Sequence, residues 1–99
     1  MNENSQGILS LKKLYSVAQS DTGQARIIAR FLANLYNGYD FQFDLTDFRA
    51  LDQDLFVHCL HVLIMDHRCV KEVHQYFDNG GKRWENMIAY HRLRSKEAA

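Results

Sequence analysis

An all-α fold, one compact bundle of four to five helices around a central helix near residues 45–66, is predicted by three observations. The 99 residues contain no proline and only five glycines, so the chain lacks the punctuation of β-rich folds. Apolar residues recur at helical spacing in several separate segments. Only 39–43 alternates in the strand period, and a lone strand finds no sheet to join. This length suits a single core, so the expected domain is 1–99, with 1–7 and 95–99 frayed.

The first helix is expected over 8–19, with Ile8, Leu11, Leu14, Tyr15 and Ala18 on one side and Lys12 and Lys13 opposite. It stops at Ser20-Asp21-Thr22-Gly23. There Asp21 as N-cap, with Gln24 three residues on, has the spacing of a capping box. The second helix covers 22–37. Ile27, Ile28, Phe31, Leu32, Leu35 and Tyr36 form its broad apolar face, and Arg26, Arg30, Ala33 and Asn34 lie opposite. Asn37-Gly38 ends it, since both residues tolerate the left-handed conformation.

Residues 39–43 are expected as an extended connection that tucks Phe41 or Phe43 into the core. The third helix starts near Leu45 or Thr46, with Asp44 as cap. Two courses are open for it: unbroken to Asp66, or divided at Asp52-Gln53 with Asp52 capping the second part. The segment is apolar on most of its circumference. Such a helix needs cover on several sides, so the core is expected around Leu55, Cys59, Leu60, Val62 and Leu63.

Beyond it, Val70, Val73, His74, Tyr76 and Phe77 suggest one or two short helical turns, and Asp78-Asn79-Gly80-Gly81 is a loop. The last helix spans 82–94, with Trp84, Met87, Ile88 and His91 on its buried face.

Composition narrows the function classes. Net charge is zero, so no global field recruits nucleic acid or anionic lipid, and electrostatic protection against self-association is weak. Two cysteines, Cys59 and Cys69, do not make a disulfide framework, and a reduced cytoplasmic setting is expected. No apolar run approaches the ~20 residues that span a bilayer, and no signal-like h-region follows a basic start. A soluble protein without membrane attachment is expected.

Polar constellations are few. Asp54, His58, His61 and Met65 form a narrow stripe on the third helix, and His67, Cys69 and His74 follow it. The spacing matches no standard zinc pattern, so the stripe is expected as a solvated seam with Asp54 pairing His58, and no metal. Lys82, Arg83, Arg92 and Arg94 make the C-terminal segment basic, while 40–66 is rich in aspartate. That split suits phosphate contact or packing within the fold, the second being the more frequent outcome. Arg26 and Arg30 are placed to neutralise Asp44 or Asp47. No phosphate loop, nucleophile elbow or metalloprotease motif occurs, so no catalytic residue, cofactor or enzymatic activity is expected.

Two ordered motifs carry a resemblance. Ser20-Asp21-Thr22-Gly23-Gln24-Ala25-Arg26 precedes Phe31-Leu32 and Asn37, and Phe43-Asp44-Leu45-Thr46-Asp47 precedes Leu51-Asp52. The chain thereby resembles, over about 11–90, an uncharacterised family of short proteins from proteobacterial plasmids, prophages and integrative elements. The resemblance implies an accessory role on mobile DNA and no particular active residues. The expected function is a small non-catalytic accessory or protein-interaction factor, docking on a protein partner or forming a homodimer. Tyr39 and Phe41 are its first candidate contact residues. The alternative is a weak nucleic-acid-binding regulator using Lys82, Arg83, Arg92 and Arg94.

Overall fold

The computed structural model describes residues 3–93 and contains, among them, four α-helices, two 3-10 helices and no strand. The expected all-α bundle is what forms. Helix α1 is Glu3–Val17, α2 is Gly23–Tyr36, α3 is Gln53–His67 and α4 is Gly80–Tyr90. The 3-10 segments are Leu45–Ala50 and Val73–Tyr76.

Helix α1 begins earlier than the expected frayed start. Its Gly7 is buried, and a Cβ there would lie 2.5 Å from Met65 Cβ, so glycine is what lets α1 approach α3. The most extensive pairing in the fold is this one, and it runs antiparallel: Gly7 meets Met65, while Ser10 meets His61 and His58.

The N-cap of α2 is Thr22 rather than Asp21. Its Oγ1 accepts from the Ala25 N–H at 3.0 Å. Gln24, freed from a capping box, reaches across the fold instead. Its Oε1 accepts from the Asp52 N–H at 2.7 Å, and its Nε2 donates to the Asp52 carboxylate at 3.2 Å. The second course for 45–66 is the one taken: a 3-10 segment, then Leu51 in extended conformation, then α3 with Asp52 at its N-cap position, though the Asp52 side chain accepts from Gln24 and makes no capping bond.

The core lies between α1, α2 and α4, with one side of α3 closing it. Leu11, Leu14, Ile28, Leu32, Val62, Val73, Cys59 and Trp84 are fully enclosed. Trp84 stacks on Tyr15, with centroids 5.3 Å apart, and donates its Nε1–H to the Leu32 carbonyl at 3.1 Å. A buried indole needs such an acceptor, and α2 supplies one. Phe41 and Phe43 both pack on the core, but the connection is not extended throughout: 38–40 form a turn closed by Phe41 N–H on the Asn37 carbonyl at 3.0 Å. Phe43 joins Phe31 and Phe48 in an aromatic cluster that continues to Phe56 of α3.

Helix α4 is fixed at both ends by backbone geometry. Gly80 sits against the His74 carbonyl so closely that no side chain fits. At the other end, Leu93 N–H bonds to Ile88 O and Arg92 N–H to Ala89 O, which is a Schellman closure. Its left-handed residue, usually glycine, is Arg92 at φ 53°.

Candidate functional site

His58 and His61 of the polar stripe turn toward α1, while Asp54 stays exposed. The fully buried Ser10 hydroxyl lies 2.9 Å from His58 Nδ1 and 3.1 Å from His61 Nδ1, with Gln6 Nε2 donating to it at 3.4 Å. A serine hydroxyl donates once and accepts twice. With Gln6 also donating to it, Ser10 donates to one imidazole Nδ1 and accepts from the other, so one Nδ1 carries a hydrogen and the other does not. Asp54 Oδ1 stands 4.0 Å from His58 Nε2 at the exposed end of this chain of groups.

Carboxylate, imidazole and hydroxyl thus align in the order of a hydrolase relay. The chemistry fails at the nucleophile. Ser10 has no accessible surface and lies within α1, so no substrate carbonyl reaches its oxygen. The solvated seam expected here is corrected to a polar bridge between α1 and α3. No group of three His, Cys, Asp or Glu among the described residues converges to hold a metal ion. His74, which might have joined such a set, lies edge-on against Tyr36, with centroids 4.9 Å apart.

Turning the histidines inward turns apolar side chains outward. Val57, Leu60, Leu63 and Ile64 are 37, 38, 36 and 50 % exposed. Leu60 and Leu63, expected in the core, are corrected to surface residues, while Cys59, Val62 and Met65 are the buried ones. Leu63, Ile64, His67 and Arg68 line a shallow recess at the C-terminal end of this face. Burial pushes the Cys59 thiol up to about 12, so it is inert packing. Asp66, half-buried near Glu72, has its carboxyl raised by burial first and by that neighbouring charge second.

The other candidates scatter. Tyr39 is exposed, whereas Phe41 is half-buried on the core and is no exposed aromatic. Arg83 donates from Nε to the Asp78 carbonyl at 2.7 Å and lies over the Tyr15 ring at 5.9 Å. Lys82 is exposed at the start of α4, Arg92 closes its other end, and Arg94 lies outside the described residues. Arg30 does pair with Asp47, at 3.4 Å, and Arg26 bonds to the His91 carbonyl. Sequence reasoning missed Ser10. Its signal was present, since Gly7, Ser10, Leu14 and Ala18 share the apolar side of α1.

A family model described only as a family of unknown function (DUF7673) matches residues 8–92. The chain belongs to this family. No curated protein and no solved structure matches the chain. In this DUF7673 member, the two motifs that carried the resemblance meet in space. Gln24 of the first grips Asp52 just past the second, Arg30 pairs with Asp47, and Phe31 packs on Phe43. Those residues hold the fold together. The outer face of α3 is built from other positions.

Proposed function

We propose that this chain is a small non-catalytic protein-interaction factor, accessory to a bacterial mobile element, and that it works by docking the outer face of α3 on a protein. One observation carries the reading: four large aliphatic side chains, Val57, Leu60, Leu63 and Ile64, are exposed together on one helix. Single exposed aliphatics are ordinary, but a contiguous patch on a small chain marks an interaction surface. The mobile-element setting rests on the family resemblance, and the lack of a reachable nucleophile favours a binding role over catalysis.

The docking surface is thereby moved from Tyr39 and Phe41 to α3. No described helix is long and apolar enough to cross a membrane. The test is a photo-crosslinking residue at Leu60, with one at the exposed Lys13 of α1 as control, in cells that naturally carry the gene. Protein adducts at position 60 and none at 13 are expected. Equal or absent labelling at 60 rejects the reading.

A further inference from the structure

The outer face of α3 has an order that suits one occupant. We propose that a second copy of this chain covers it, α3 packing antiparallel on α3 about a two-fold axis; this rests on the reading of α3 as the docking surface. At 100° per residue, Val57, Leu60 and Ile64 form the seam, with Gln53 and His67 at its ends. Phe56 and Leu63 line one flank of that seam. Asp54, His61 and Arg68 line the other, at seven-residue intervals.

In an antiparallel two-fold pair, each flank meets the same flank of the other copy, read in reverse. Phe56 then packs on Leu63 of the second copy, apolar against apolar. On the opposite flank, Asp54 meets Arg68 of the second copy, and the symmetry repeats the pair, while His61 stays turned toward Ser10. Both charges are available: the Asp54 side chain is 80 % exposed, and Arg68 is exposed with no ion pair among the described residues. A parallel arrangement sets Asp54 and Arg68 beside the apolar flank and satisfies neither.

The recess lined by Leu63, Ile64, His67 and Arg68 lies where Val57 of the second copy arrives. A helix from an unrelated protein would use the apolar seam, but it would not call for charges that complement themselves on reversal. Zero net charge leaves no overall repulsion between copies. Helix α3 has 15 residues. At about 1.5 Å per residue the contact strip is about 22 Å long, which places the dimer among small interfaces.

Sedimentation equilibrium on the purified, untagged full chain across the micromolar range decides the matter. The mass is expected to rise from 11.6 kDa to twice that value with concentration. Leu60→Glu and Ile64→Glu should hold it at the monomer value with helix content by circular dichroism unchanged. Asp54→Arg or Arg68→Asp alone should weaken the dimer about tenfold, as like charges face each other. The double variant should regain the wild-type constant. A monomer at every concentration overturns the proposal, as does a dimer that survives Leu60→Glu or a double variant no better than the singles. If the pure chain stays monomeric while Leu60 crosslinks a different protein in cells, only the second copy falls; if it crosslinks nothing, the docking surface falls too.

Discussion

At the residue scale, the most consequential side chain is Ser10, because one hydroxyl serves two imidazoles in an enclosed space. Replacing it with alanine leaves Nδ1 of both His58 and His61 without that partner. Ser10→Ala should therefore lose about 1–3 kcal/mol of stability, read from urea unfolding midpoints. Arg92 points the other way. It holds a left-handed backbone that costs an L-residue about 1 kcal/mol, so Arg92→Gly should raise the melting temperature. The cysteines separate by environment. Cys69 is exposed, whereas Cys59 is enclosed with its thiol pushed up to about 12. Ellman's reagent at mildly alkaline pH should titrate one thiol in the folded chain and both in denaturant. Fast reaction of both would contradict the burial of Cys59.

At the element scale, α3 shows where periodicity informs and where it stops. Its 3.6-residue spacing defined a helix and a narrow polar stripe, but periodicity carries no information about which side faces the protein. The usual rule, polar outward, gives the wrong side because Ser10 on a distant helix supplies hydrogen bonds to His58 and His61. The capping box expected at α2 failed for a similar reason. Asp21 and Gln24 have the spacing of a capping box, yet Gln24 gains two hydrogen bonds to Asp52 across the fold. By contrast, Trp84, Met87 and Ile88 on α4 and the tucked Phe43 were legible, since large apolar groups have one dominant preference.

The C-terminal turn of α3 yields a pH prediction. Asp66 has a folded-state carboxyl raised by burial and by Glu72, so the folded chain binds its proton more readily than the unfolded chain does. Its charge costs stability at neutral pH, and that cost is relieved as pH falls through the folded value. Asp66→Asn should therefore stabilise the protein modestly at neutral pH, read from urea unfolding midpoints. The advantage should shrink as pH falls through the folded value and vanish only below the ordinary carboxylate range. An advantage that grows on acidification would refute the assignment.

At the scale of the whole molecule, the lone Trp84 sits where α1, α2 and α4 meet, stacked on Tyr15 and bonded to Leu32. Its fluorescence reports the common core, while far-UV circular dichroism reports all helices. The two unfolding curves should coincide, as one shared core requires, and a separation would divide the chain into independent parts. The fold class was legible because the absence of proline and the helical spacing agree along the whole chain. The exposed face of α3 was not, because burial depends on how many neighbours the rest of the chain can supply. Among the described residues, α3 is covered on one side only.

The pairing of α1 with α3 also orders events during synthesis. Ser10 and its partner His58 are 48 positions apart, and the ribosome makes α1 first and the helix it packs against much later. Throughout the translation of α2 and the 3-10 segment, Leu11 and Leu14 lack the α3 side of their eventual surroundings. Helix α2 alone offers them interim cover. Helix α1 is thus made well before the helix that locks it in place, and its apolar side is most open to aggregation or to chaperones until α3 has emerged.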